Sequence, residues 1–347
     1  MSKLDTQELV SYEVPAGAHV LTVYLQTHSA ESETVFREQL NEIKRRFESE
    51  DEETELDQCV QRVWDFLSKF ESRAPMLVLI CTATGSLWVR QIDVLLPNAA
   101  RWEEYPYWKP LVEAIDKYEP YGVLLLDSNR AKLFEVFLGC IHECCSVERD
   151  AGQELPAYLK TVTTRLEELI RTECPRRLIL AGDREMWPNF LRGCAPYLRK
   201  SIIAMKHLPH DVSARQVMER TRDVDELSQR RFEFKEVEEL LELAKRHKRV
   251  TIGLTDTLEA LNEGKVWRLI YSENFTAEGS HCPLCDSEFG AGVNICTQCN
   301  VALRPENDLV AAMVVRALNS DASIEQVRGE AAARLKEAGG IGAFLRY

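Results

Sequence analysis

Apolar positions along the chain gather in short runs whose period switches between two and about 3.6 residues. Residues 18–27 (Ala-His-Val-Leu-Thr-Val-Tyr-Leu-Gln-Thr) read as a strand. The spacing that follows predicts amphipathic helices over about 33–48 and 54–70, with an acidic loop between them. Met76–Thr82 and Leu87–Leu96 are β-type runs joined at Ala83-Thr84-Gly85, a hairpin signal. The aromatic and proline-rich stretch Trp102–Pro110 then breaks the pattern and begins a boundary. A second unit opens near Tyr118 with two buried-strand runs, Gly122–Asp127 and Ala131–Leu138, linked by the turn-like Ser128-Asn129-Arg130. Helix 154–173, strand Arg177–Ala181, helix 184–199 and strand Ser201–Lys206 follow. Residues 213–249 are charged with helical periodicity and predict a connecting helix. From Val250 the pattern gives helix Thr255–Asn262, strand Val266–Tyr271, a cysteine-rich insertion, helix Leu309–Leu318, strand Ile324–Val327, helix Glu330–Ala338 and a closing strand Ile341–Tyr347. This alternation predicts a multi-domain α/β chain of three α/β modules, over 1–117, 118–228 and 229–347, with the insertion at 280–304.

Composition narrows the function classes. Lys plus Arg is 43 and Asp plus Glu is 56, so the chain of 347 residues carries a net charge of −13. Bulk charge of that sign does not coat nucleic acid, so any RNA contact needs a local basic patch, and no DNA partner is expected. The cluster Lys245, Arg246, Lys248 and Arg249 is such a patch, either contacting phosphate or simply placing cations at a helix C-terminus. Seven acids fall within Glu48–Asp57, read here as a solvated loop, with a phosphate-repelling spacer as the sharper alternative. No apolar run approaches the roughly 18 residues that span a bilayer, and the opening Met-Ser-Lys-Leu-Asp shows no secretory signal, so no membrane contact and a cytoplasmic location are expected.

Of the eleven cysteines, seven are scattered: Cys59, Cys81, Cys140, Cys144, Cys145, Cys174 and Cys194. Many sit in apolar stretches, as reduced packing residues do, and Cys144 and Cys145 are expected to be buried in that way. The other four differ. Cys282-Pro-Leu-Cys285 is followed ten residues later by Cys296-Thr-Gln-Cys299. Two C-x-x-C knuckles bring four thiolates within reach of one tetrahedral ion, and the soft sulfur set selects zinc. Two disulfides are the competing reading, disfavoured in a reducing compartment. A closed four-thiolate site has no open position, so its zinc would be structural. His281 is read as a flanking residue. There is no Walker A signature, no H-E-x-x-H and no G-x-S-x-G elbow.

Gly253-Leu-Thr-Asp-Thr-Leu-Glu-Ala-Leu-Asn-Glu-Gly264 with Val266–Ser272 resembles the last domain of class-1 archaeal and eukaryotic release factors and of Pelota. The terminal Gly339–Tyr347, the middle hairpin Leu125–Gly139 and the run Leu178–Asp183 are similar to the same superfamily, and Val20–Thr27 to its bacterial, Balon-like branch of hibernation and rescue factors. The resemblance implies an L7Ae-like fold for the last module, with the four-cysteine ribbon as its mini-domain. It also implies a first module on the decoding-centre side and a middle module near the peptidyl transferase centre. The family hydrolyses peptidyl-tRNA through a Gly-Gly-Gln loop; the equivalent place here holds Ala151-Gly152-Gln153. Glycines suit that loop because backbone must approach the ester at φ > 0, and alanine in a left-handed conformation costs about 1–2 kcal/mol. Glu143, Glu148, Asp150 and Glu154 surround it with only Arg149 as a cation. No codon-reading motif is visible. The implied function is a ribosome-binding factor that occupies the A site against rRNA as a tRNA does, without hydrolysis, with a translational GTPase of the EF-Tu class as partner. The alternatives are a peptidyl-tRNA-hydrolysing release factor using residues 151–153 and an RNA-binding protein that acts off the ribosome through the L7Ae-like module.

Overall fold

The computed structural model describes residues 6–15, 17–29, 31–47, 49–172 and 177–347; Glu48 and Cys174 lie outside them. The chain forms two compact units, one of residues 1–117 with 233–347 and one of residues 118–232.

The discontinuous unit contains two four-stranded sheets. The first is antiparallel throughout, in the order Leu87–Ile92, Met76–Thr82, Val20–Gln26, Ala99–Glu103. Helices Ser32–Lys44 and Glu50–Leu67 bury Phe36, Leu40, Leu56 and Val63 against one face, where Leu21, Val23, Leu77 and Leu79 alternate inward. The stretch Trp102–Pro110, expected only to break the pattern, instead ends the fourth strand and then covers the second face. Tyr24 donates its hydroxyl to the Tyr107 carbonyl at 2.7 Å, and Thr22 Oγ1 accepts from the Tyr107 amide at 3.0 Å. Helix Lys109–Lys117 follows. The acidic run is likewise not a loop. Glu50, Asp51, Glu52 and Glu53 form the first turn of the second helix, where exposed backbone N–H groups favour anionic side chains. Glu52 accepts from the Trp102 indole at 3.1 Å, and Lys44 pairs with Asp57 at 2.6 Å.

The second sheet runs Val250–Ile252, Ile341–Leu345, Val266–Ser272, Ser323–Val327, with only the last pair parallel. Helix Ala214–Lys245 crosses from one unit to the other; its second half packs Val237 and Leu240 against Ile270 and Val327, together with Leu335 of helix Gly329–Lys336. Helices Leu254–Asn262 and Leu309–Asn319 complete this part of the unit. Buried ion pairs tie its early and late segments: Arg328 meets Glu233 and Asp116, each at 3.1 Å.

The continuous unit holds a five-stranded sheet in the order Cys140–Glu148, Arg130–Phe137, Tyr121–Leu126, Arg177–Gly182, Ile202–His207. The first three strands are antiparallel and the last three parallel. Both faces are covered, which is why its central strands read as unbroken apolar runs. Leu124, Leu126, Leu178 and Leu180 face helix Leu155–Thr172 and the short helices Trp187–Gly193 and Pro196–Ser201. Val123, Leu125, Ile179 and Ala181 face the first half of helix Ala214–Lys245 through Val217. The helix expected over 184–199 is thus two helices, since Cys194 is extended and Pro196 restarts the turn at an N-terminal position. Gly182 has φ +106°, and a Cβ there would fall on the Leu126 carbonyl, so glycine is required.

Candidate functional site

Strand Cys140–Glu148 is the sheet edge in the continuous unit; its periodicity is weak because most of its side chains face solvent. Cys144 and Cys145 lie on it half-buried rather than buried: Cys145 packs against the core beneath, and the Cys144 thiol points toward the His142 carbonyl at 3.8 Å. Beyond Glu148 six residues lead into helix Leu155–Thr172, and they form a latched turn. The Gln153 amide donates to the Asp150 carbonyl at 3.0 Å, and Gln153 Oε1 accepts the Asp150 N–H at 3.2 Å. Arg149 Nε donates to the Gln153 carbonyl at 2.8 Å, while its own amide donates to the Asn129 carbonyl at 2.7 Å.

Gly152 has φ +84°, with no atom within 4 Å of where a Cβ would stand. Ala151 is outside the left-handed region. A turn with one glycine at its third position needs φ > 0 only there, as in type II, and alanine is tolerated before it. The expected backbone penalty for Ala151 is therefore absent. The acidity is also less than the window implies, because Lys132 lies 3.4 Å from Glu143 and Arg130 3.5 Å from Glu148 across the hairpin.

The four predicted metal-ligating cysteines converge. One sulfur each from Cys282, Cys285, Cys296 and Cys299 lies within 4.8 Å of every other, and Cys285 and Cys296 approach to 3.6 Å. Sulfurs on a tetrahedral ion with bonds of about 2.3 Å would stand about 3.8 Å apart, so the set suits a metal and the cysteines are free thiols. The two knuckles fold alike. In each, the first cysteine's amide donates to the carbonyl five residues on, and the residue after the second cysteine donates back to the first cysteine's carbonyl. Those following residues, Asp286 and Asn300, both have φ +54°. Asp and Asn visit this conformation most readily among side-chain-bearing residues, a signal present in the sequence beside each C-x-x-C.

Strands Gly279–His281, Glu288–Gly290 and Arg304–Glu306 carry the knuckles, and Asn262 clamps the ribbon by accepting from the Glu288 amide and donating to its carbonyl. His281 stands outside the thiol set; Glu288 accepts from its ring at 2.9 Å and raises its pKa. The Ser287 hydroxyl, 3.3 Å from Cys285, leads in pulling that thiol down to about 6.

Lys245, Arg246, Lys248 and Arg249 are exposed at the C-terminal end of the long helix. Glu242 pairs with Lys245 at 2.8 Å and with Arg246 at 3.8 Å. His247 has φ +50° and turns the chain so that the Lys248 amide caps the Leu243 carbonyl. Among the described residues, Lys248 and Arg249 have no ion-pair partner.

Residues 106–157 match the sequence profile of Bacterial archaeo-eukaryotic release factor family 10, a segment that contains the hairpin and the whole latched turn. Over that segment the chain is similar to the bacterial archaeo-eukaryotic release factors. None of the curated proteins matches it. Among solved structures it is similar to the archaeal translation termination factor aRF1 at 18% identity, with 98% of this chain and 96% of that one covered and a TM-score of 0.27. It is also similar to Archaeoglobus fulgidus Pelota (17%, 78% and 79%, 0.38) and to S. cerevisiae Dom34 (10%, 76% and 73%, 0.47). No helix of the described residues is long and apolar enough to cross a membrane.

Proposed function

We propose that this protein is a ribosome-binding, release-factor-like translation factor that occupies the A site as a tRNA does and leaves the peptidyl-tRNA ester intact. The observation that carries the reading is the latched turn within the family segment. Ester hydrolysis needs a donor aimed at the developing oxyanion and a water held for attack on the carbonyl carbon. Here the Gln153 backbone N–H is spent on the Asp150 carbonyl, and the oxygens that could hold a water are taken, the side-chain oxygen by the Asp150 amide and the carbonyl by Arg149. The same exposed tip would serve to probe the peptidyl transferase centre.

In this reading residues 1–117 lie toward the decoding centre, residues 118–228 carry the tip, and residues 229–347 form an L7Ae-like module that meets a translational GTPase of the EF-Tu class. The four cysteines hold structural zinc, which the ribbon's short strands need for their order. Lys245, Arg246, Lys248 and Arg249 contact rRNA, and the protein works in the cytoplasm during hibernation or rescue of stalled ribosomes. A second reading, hydrolysis of peptidyl-tRNA, is favoured by one feature: Gly152 offers unobstructed backbone at positive φ beside a retained Gln153. A release assay on stalled ribosome complexes separates the two. No released peptide above the factor-free rate is expected from the native protein or from Gln153→Ala; release that Gln153→Ala abolishes would reverse the assignment.

A further inference from the structure

We propose that one rim of the C-terminal sheet is a binding surface for unpaired RNA, built around Trp267 as a stacking platform. Strands Val250–Ile252 and Val266–Ser272 begin, and strand Ile341–Leu345 ends, at this rim, because the third runs antiparallel between the other two. The backbone fixes the juxtaposition. The Leu345 amide donates to the Arg249 carbonyl at 2.8 Å, and the Arg346 amide donates to the Lys265 carbonyl at 2.9 Å. Lys248, Arg249, Lys265, Trp267, Arg346 and Tyr347 therefore come together from three chain segments, across strands spaced about 4.8 Å apart.

The indole is placed by an irregularity in the sheet. Val266 pairs with Leu345 and Arg268 with Phe344, so Trp267 is the extra residue of a bulge, a device that re-aims a side chain. It is 49% exposed, although tryptophan is ordinarily well buried. It is also held rigid. The Arg268 guanidinium lies over the ring at 4.9 Å from its centre, and Phe344 meets it edge-on at 6.2 Å and 71°. Arg268 is itself pinned by Glu236 and by Ser323 Oγ at 3.0 Å. A pre-ordered aromatic ring flanked by cations is the combination that binds unpaired bases, stacking on the ring while phosphates meet the charges. Tyr347, 71% exposed, adds a second ring. The local acids are Glu263, on Lys265 at 2.5 Å, Glu259 beside it, Glu236 on Arg268 and exposed Asp321, and among the described residues they leave Lys248 and Arg249 without an ion-pair partner. The unpaired cations call for an anionic partner, and the exposed indole, which stacks on bases, makes RNA rather than an acidic protein surface the occupant, despite the chain's overall negative charge.

The surface rests on the ribosome reading only for where its RNA would be met, so the two are tested apart. The probe is a labelled single-stranded RNA of about a dozen nucleotides, within the roughly 4–16 that such sites cover, followed by fluorescence anisotropy. The native chain should bind it, more weakly as salt rises from about 50 to 200 mM. Trp267→Ala should weaken binding about tenfold, as loss of one stacked base does, while Trp267→Phe retains most of it. Lys248→Glu with Arg249→Glu should weaken binding and flatten the salt dependence. Far-UV circular dichroism of each variant should be unchanged. Pelleting with ribosomes without binding the oligonucleotide would overturn the proposal and spare the ribosome reading; oligonucleotide binding without pelleting would do the reverse. Equal affinity of Trp267→Ala and the native chain would also overturn it.

Discussion

Arg328→Ala should strongly destabilise the discontinuous unit. The guanidinium is 6% exposed and lies 3.1 Å from both Glu233 Oε1 and Asp116 Oδ2, carboxylates only 1% and 9% exposed. It also donates to the Glu113 carbonyl at 3.4 Å, while the Arg328 amide holds Glu233 Oε2 at 2.8 Å. The three groups belong to segments far apart in sequence: the helix Lys109–Lys117, the long helix, and the residue before helix Gly329–Lys336. Removing the cation leaves two buried carboxylates facing each other's field. Asp116 keeps the Gln326 amide and Glu233 the Arg328 amide, so neither is wholly orphaned. Breaking a buried pair from one side costs about 3–5 kcal/mol. At about 2–4 °C per kcal/mol for a unit of this size, the melting temperature should fall by about 6–20 °C. Urea unfolding monitored by circular dichroism measures the loss. The triple change Arg328→Met, Asp116→Asn, Glu233→Gln should recover most of it, because no charge is then stranded. A native-like midpoint for Arg328→Ala alone would refute the reasoning, since the segments would then be held together without the pairs.

Two further changes probe charge and metal. Burial, reinforced by Glu306 and Asp308 and opposed by Arg101, pushes the Glu103 carboxyl up to about 7. The folded state therefore holds that proton more tightly than the unfolded chain, so stability falls as pH rises from about 4.5 through 7. Glu103→Gln should raise the melting temperature at pH 8 and leave it nearly unchanged at pH 4.5; equal effects at both would refute the assignment. Zinc should be recovered at one ion per chain by a colorimetric chelator after denaturation, and chelation should expose the ribbon to protease while residues 118–232 keep their circular dichroism. Recovery of no metal, with all four thiols titratable in the native protein, would refute the site.

Legibility followed the strength of each local signal. The central strands of both units were readable because burial on two faces leaves continuous apolar runs, as in Tyr121–Leu126. The four cysteines were readable because two knuckles need only spacing. The edge strand Cys140–Glu148 was not, since none of its side chains is fully buried and no regular apolar alternation marks it. The acidic run hides its helix for a related reason: dense charge resembles a solvated loop, although the same residues at a helix N-terminus are stabilised by the dipole. The strand Ala99–Glu103 and helix Lys109–Lys117 were hidden by aromatic and proline residues whose tertiary role is to cover a sheet face. Arg328, Asp116 and Glu233 could not have been found at all, because their pairing depends on contacts more than ninety residues apart.

The tip changes most between sequence and structure, and the change sharpens the functional question. Two of the sequence's reasons against hydrolysis fall away. Ala151 occupies a turn position that asks nothing unusual of it, and the surrounding acids are partly matched by Lys132 and Arg130. What remains is a latch that no composition could display: Arg149 reaches forward to the Gln153 carbonyl while the Gln153 side chain reaches back to Asp150. A latch of ordinary hydrogen bonds is worth about 1 kcal/mol per bond, little enough for a docking surface to open it. The non-hydrolytic reading therefore stands on the turn staying closed in the bound state, and the identity of residue 151 bears on it only through the extra methyl it brings to the tip.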